Sequence, residues 1–295
     1  MLRDFPTLSA GDAHAYLLPP FTHTPDSLAS FRALVLDFYE SHGRKFSWRE
    51  TQDPYAILVS EVMLQQTQTS RVAPKYEEFL NTWGTLKELS EATVLDLLSL
   101  WKGLGYNRRA LYLRQSAQLS EQWGYRLPAD EAELLTLPGV GKATAAALMA
   151  FAFNKRSIYI ETNVRRVVLH CFFPDESNVT DKAVTEVLNA LADEITDFRS
   201  WYYALLDYGV LLKALLVNPN RRSAHYSKQA AFENSNRQIR GLLIHHLTEG
   251  GPQPVEQINT TLSEFCDQRI HSCLSALAQE GFVEEEDGVY RITRS

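Results

Sequence analysis

The chain has 295 residues, 45% of them apolar and 22% charged, with a net charge of −7. That length holds two helical lobes and a further small module. With no apolar run near a membrane span and no signal-peptide core at its start, the sequence predicts a cytoplasmic protein without a membrane partner. Three cysteines, Cys171, Cys266 and Cys273, are too few and too scattered for a disulfide framework or a four-thiolate cluster.

Residues 1–26 are rich in Pro, Thr and Ala with weak periodicity and read as an irregular extension. From Ser27 to His42, apolar residues at Leu28, Phe31, Leu34, Val35, Phe38 and Tyr39 form a helical stripe. Asp53-Pro54 suits a helix start, with the helix running from Tyr55 to Gln66. The same pattern predicts helices near Ser70–Phe79, Glu91–Lys102, Arg108–Trp123, Glu131–Thr136, Lys142–Phe153, Glu161–His170, Asp181–Asp193 and Arg199–Lys213. Strand-like runs are scarce, so residues 27–217 are expected to be a mainly α body.

A turn-rich stretch at 218–236, opening Asn218-Pro219-Asn220-Arg221-Arg222-Ser223, reads as a basic linker. Residues 237–295 change pattern. Helices are expected at Arg237–Leu247, Val255–Leu262 and Cys266–Glu280, followed by a hairpin turning at Asp287-Gly288. Three helices and a small hairpin suggest a winged-helix module of α+β type. From Gly241 onward nine acids face three bases, so the remaining 240 residues carry only −1. The module is therefore expected to add little to phosphate binding, and to pack on the body or meet a protein partner. The body can present arginine and lysine pairs at Arg44/Lys45, Arg108/Arg109, Arg165/Arg166 and Arg221/Arg222.

Two stretches carry chemistry. Gly139-Val140-Gly141-Lys142 opens a helix, and such a turn lets backbone N–H groups converge on a phosphate. Glu61 is a lone carboxylate among apolar, amide and hydroxyl residues between Leu58 and Gln68. Burial there favours the protonated acid, which can protonate a leaving base. Glu161 is a second carboxylate, suited to stabilising an oxocarbenium-like sugar. Without metal-ligand spacing around His170, His245 or His246, no metal is expected. Together these residues suggest acid-assisted cleavage of a bond in a nucleotide.

In their order along the chain, Phe46-Ser47-Trp48-Arg49, Asp53-Pro54-Tyr55, Ser60 to Gln68, Leu100 to Tyr106, Leu137 to Gly141 and Asn163 to Val167 resemble the helix-hairpin-helix DNA glycosylases, and most closely the MutY-type adenine glycosylases. The resemblance covers about residues 30–215. It implies a mainly α, two-lobed fold and a base-excision hydrolase acting as a monomer on double-stranded DNA, cytoplasmic and nucleoid-associated. It implies that Glu61 protonates adenine N7, that Glu161 with Asn163 serves the sugar side, and that Gln65, Gln66, Thr67 and Tyr106 fill the gap left by an extruded nucleotide. Arg108, Gly139, Gly141 and Lys142 would contact DNA, and Trp48 and Tyr55 would line the base pocket. The carbonyls of Leu135, Leu137 and Val140 would be the seat of a monovalent cation.

The chain departs from that pattern in three respects. Glu161 stands where the family has aspartate. Lys213 stands where the first cysteine of the family's iron–sulfur cluster would be, so no cluster is expected. The C-terminal domain that reads 8-oxoguanine is absent. Ala143 stands where strand-cutting relatives carry a lysine, so no lyase activity is expected. Adenine opposite guanine or 8-oxoguanine is the first substrate expectation. Uracil or thymine in mismatches, or a non-catalytic DNA-binding role, are the alternatives.

Overall fold

Short capped helices separated by Pro- and Gly-containing turns make up nearly all of the body. The computed structural model describes residues 4–6, 8–17, 20–227 and 231–294. The chain divides into two compact units. The first comprises Met1–Ile57, Ala129–Leu135 and Val140–Lys228, and the second Leu58–Pro128, Thr136–Gly139 and Gln229–Ser295.

The first unit is built on the helices Thr162–Phe172 and Phe198–Leu215, with Pro25–His42 against the latter. Trp201, Tyr202, Tyr208, Phe31 and Phe38 are fully buried between them. The two central helices approach closely because position 209 is glycine: a Cβ there would lie 2.6 Å from both Cβ and O of Asn163. The N-terminal stretch is more ordered than its sequence suggests. Ser9 caps a helix at Ala10–Ala15, Phe5, Leu8 and Ala13 are buried, and the Phe21 amide donates to the Cys171 carbonyl at 2.7 Å. The helix is too short to show a 3.6-residue stripe, which is why periodicity missed it.

The expected linker is also structured at its start. A 3-10 turn at Pro219–Arg222 places Asn220 Nδ2 3.0 Å from the Thr162 carbonyl. Arg222 donates to the carbonyls of Leu169 at 2.9 Å, Phe173 at 2.6 Å and Pro174. The segment thus holds both ends of Thr162–Phe172 and is part of the first unit's core. Residues 228–230 lie outside the described residues.

The second unit contains Thr69–Thr82, Leu86–Glu91, Val94–Trp101 and Arg108–Leu119. The helix expected near Glu91–Lys102 starts at Val94, where Thr93 caps it by accepting from the Asp96 amide, and Leu86–Glu91 is a separate helix before it. The C-terminal residues follow as Asn236–Gly250, β1 (Gln253–Pro254), Val255–Thr261, Asp267–Gln279, β2 (Val283–Glu286) and β3 (Val289–Ile292). The sheet order is β1-β3-β2, antiparallel throughout, with Val283 opposite Ile292 and Gln253 opposite Tyr290. Leu243, Leu247, Ile258, Ile270, Leu274, Leu277 and Phe282 form its apolar centre. Among the described residues, no helix is long and apolar enough to cross a membrane.

Candidate active site

In the first unit, Glu161 is the N-cap of Thr162–Phe172 rather than its first residue. Its Oε1 accepts from the amides of Asn163 and Val164, the latter at 2.8 Å, and its Oε2 from Asn163 Nδ2 at 3.3 Å. Burial pushes the Glu161 carboxyl above its ordinary range, although the two amides and the charges of Arg166 and Arg165 act the other way. Asn163 is itself fixed. Its Oδ1 accepts from Arg166, whose Nη1 also donates to the Gly209 carbonyl at 2.9 Å. Glu161, Asn163 and Arg166 are one connected group at a helix N-terminus, where the dipole favours an anion.

Gly141 is the N-cap of Lys142–Phe151 in extended backbone, with no side chain capping the helix and open space where a Cβ would sit. Lys142 and Ala143 are exposed in that first turn. An exposed helix N-terminus of this kind favours an anion.

In the second unit, Glu61 is half-buried in Pro54–Leu64, flanked by buried Leu58, Val59, Ser60, Val62 and Met63. This is the environment its sequence implied. The helix ends in a turn where Gln66 takes the left-handed conformation (φ 55°). A second turn, Gly103 to Asn107, ends in Tyr106, also left-handed (φ 49°) and 38% exposed. Non-glycine residues in this region mark positions the surrounding structure holds.

The holding group is Arg109. Its Nη1 donates to the carbonyls of Val62 (2.8 Å), Met63 (2.9 Å) and Gln65 (2.6 Å). Its Nη2 donates to Gly105 O (2.8 Å), Leu104 O (3.3 Å) and Thr67 Oγ1 (3.1 Å). The guanidinium lies 5.4 Å from the Trp101 ring centroid. Burial lowers its pKa to about 10, so it stays charged at neutral pH. Arg109 thereby joins the Gln65–Thr67 and Leu104–Tyr106 turns into one block. In the same unit Gly139 (φ 75°) lies against Tyr112, where a Cβ would come within 2.8 Å, and Ser116 Oγ donates to the Pro138 carbonyl at 2.9 Å.

Several expectations need correction. Most of the arginine pairs are not a basic face. Arg44 and Arg49 both bind the fully buried Asp207, with contacts of 2.7 and 2.8 Å. Arg166 is buried, Arg165 pairs with Asp181 at 2.9 Å, and Arg222 binds helix carbonyls. Arg108, expected on DNA, donates to Glu280 at 3.0 Å. Trp48 and Tyr55, expected in a base pocket, are 3% and 4% exposed, and Trp48 stacks on Phe46 at 4.5 Å. Sequence reasoning missed Asp207, although a lone acid between Leu206 and Tyr208 in an apolar helix was a visible signal.

Fewer than four thiols exist for a cluster. Cys171 and Cys273 are buried and Cys266 is exposed, and three thiols do not fit a four-thiolate iron–sulfur centre.

The model of the HhH-GPD superfamily base excision DNA repair proteins matches residues 59–194. The chain is 34% identical to an adenine DNA glycosylase of Buchnera aphidicola subsp. Baizongia pistaciae over 194 residues, 64% of this chain and 54% of that protein. It thus spans about half the length of such relatives. It is 30% identical to a thymine/uracil-DNA glycosylase of Methanothermobacter thermautotrophicus over 62% of this chain and 85% of that protein. The solved structure of a thermostable thymine-DNA glycosylase superposes with a TM-score of 0.55 at 28% identity, covering 62% of this chain and 85% of that one. The chain belongs to the HhH-GPD superfamily of base excision DNA repair proteins.

Proposed function

We propose that this protein is a monofunctional DNA glycosylase that hydrolyses the N-glycosidic bond of a mispaired base, with adenine opposite guanine or 8-oxoguanine as its first substrate. The observation that carries this reading is the half-buried Glu61, one turn before a helix end that Arg109 fastens to the turns of Gln66 and Tyr106. Glu61 gives its proton to a purine ring nitrogen as the bond to the sugar breaks. Glu161, held by its amide contacts and Asn163, faces the positive charge that develops on the sugar, and water completes the hydrolysis. Gly139 and Gly141 seat phosphates with Lys142, and the carbonyls of Leu135, Leu137 and Val140 remain the proposed cation seat. Ala143 offers no amine, so the strand stays intact after base release.

Three cysteines support a reading without an iron–sulfur cluster. The order helix, strand, two helices and two strands, with sheet order β1-β3-β2, supports reading residues 236–292 as a winged helix. We take double-stranded DNA as the partner, the cytoplasm as the location and a monomer as the working unit; the match to the base excision DNA repair family supports the first of these. A second reading is excision of thymine or uracil from mismatches with guanine. It is favoured by the 30% identity to a thymine/uracil glycosylase across 85% of that protein. Retention of both carboxylates argues against a non-catalytic role.

Single-turnover incubation with a panel of mismatched duplexes, products resolved with and without alkali, separates these readings. Adenine release with breaks only after alkali is expected. Thymine or uracil release alone supports the second reading. Breaks without alkali, or a complex trapped by borohydride, would contradict the monofunctional assignment.

A further inference from the structure

The C-terminal module meets the Tyr106 turn through one arginine. Arg237, in the first turn of Asn236–Gly250, donates from Nη1 to Tyr106 Oη at 3.0 Å and from Nη2 to the Ala231 carbonyl at 3.2 Å. Ala231 precedes Phe232, which is 59% exposed. The turn holding Phe232 is well bonded. Its carbonyl accepts from the Ser235 amide at 3.2 Å, and Asn234, left-handed at φ 58°, donates its amide to Gln238 Oε1 at 2.6 Å. Arg269 Nη2 donates to Asn234 O at 2.8 Å and Asn236 Oδ1 at 3.0 Å. Behind this edge the module is fastened by Glu280, shared between Arg108 and Arg240, and by Glu249 with Lys102. Two of the module's acids, Glu249 and Glu280, are thus directed onto the helices beside it. Arg237 thus bridges the hydroxyl of half-exposed Tyr106 and the main chain one residue before exposed Phe232.

We propose that Arg237, with Phe232 and Tyr106, forms a composite DNA contact through which the C-terminal module grips the duplex beside the Tyr106 turn. The inference rests on the reading that this chain acts on duplex DNA. A guanidinium held at the hydroxyl of one exposed ring and beside the chain that carries another matches what a nucleic-acid strand offers: a phosphate for the charge and a base or sugar face for the rings. The module, acidic in sum, brings a cation to the Tyr106 turn.

The test measures binding of the full-length protein to a labelled duplex carrying an abasic-site analogue, across a salt series, with thermal melting alongside. R237A is expected to weaken binding about tenfold at moderate salt and to flatten the log K against log salt slope by about one. R237K should keep the slope, and F232A should weaken binding several-fold without changing it. R237A within twofold of wild type at unchanged slope overturns the proposal. So does equal loss in R237A and R237K accompanied by a lower melting temperature, which marks a packing contact. The analogue has no base to release, so the outcomes are separable. A wild type that binds it but excises nothing removes the proposed activity and leaves this contact standing.

Discussion

Arg109 and Gln65 meet through a 2.6 Å hydrogen bond from a buried guanidinium to a main-chain carbonyl, and that contact sets where Gln66 begins its left-handed turn. Because the same guanidinium also donates to Gly105 O, the two turns of the proposed DNA surface move as one. Arg109→Lys keeps the charge but loses the fork. It should lower stability by about 2–3 kcal/mol through unsatisfied carbonyls. It should also slow base release more than tenfold even at temperatures where the variant is fully folded. Thermal melting and single-turnover rates check both; an unchanged rate in folded Arg109→Lys removes Arg109 from the positioning role.

The arginine pairs show what a sequence hides. Adjacent residues on a helix point about 100 degrees apart, so one of each pair can face solvent while the next faces the core. Arg108 reaches outward to Glu280 and Arg109 turns inward; Arg165 reaches Asp181 and Arg166 is buried. Composition supplies the charge but not its direction. By contrast, Glu61 was legible because its apolar neighbours forced a half-buried setting whatever the tertiary packing. The glycine at 139 was legible as a turn residue, and the structure gives it a reason: φ 75° and a Cβ position 2.8 Å from Tyr112. The C-terminal helices and hairpin were legible from an Asp-Gly turn between alternating residues. The short strand at Gln253–Pro254 was not, since two residues carry no period.

Asp207 anchors Arg44 and Arg49 inside the first unit. Burial alone would raise its carboxyl pKa, but Arg49 and Arg44 outweigh that and hold it below the usual range. A depressed folded pKa adds stability above the unfolded value of about 3.9. That contribution is lost as pH falls from there through the folded pKa. Asp207→Asn should cost about 3–5 kcal/mol, because two guanidiniums lose their buried counter-charge. It should also blunt the acid limb of the stability curve. Denaturation at stepped pH values checks this, and an Asp207→Asn curve parallel to wild type would contradict it.

Glu161 combines a cap with a proposed charge-stabilising role. Glu161→Gln keeps an acceptor for the helix amides, so stability should fall by no more than about 1 kcal/mol. The rate of base release should fall at least a hundredfold. The raised pKa adds a pH signature: activity that needs the ionised carboxylate declines as pH drops through that raised value. Glu161→Asp, restoring the shorter acid, should retain much more activity than Glu161→Gln. Equal rates for these two variants would show that the charge at 161 is not used.

Glu280 neutralises Arg108 and Arg240, which in turn hold its carboxyl below the ordinary range against the effect of burial. Removing it should free two cations. Glu280→Ala is expected to lose about 1 kcal/mol of stability, mostly through half-exposed ion pairs. It should bind duplex DNA more tightly at low salt, with a steeper salt dependence. Weaker binding at all salt concentrations would mean that the docked module, rather than the charge it masks, matters more.

The central claim is that Glu61 is the acid for base release. The direct measurement compares wild type with Glu61→Gln, at saturating enzyme, on a duplex carrying adenine opposite guanine or 8-oxoguanine. Base release should be abolished in the variant while affinity for the duplex stays within a few-fold, since binding draws on the hairpin, the two turns and Arg237 rather than on Glu61. Release by Glu61→Gln at the wild-type rate would contradict the account and move the search for the acid to another residue.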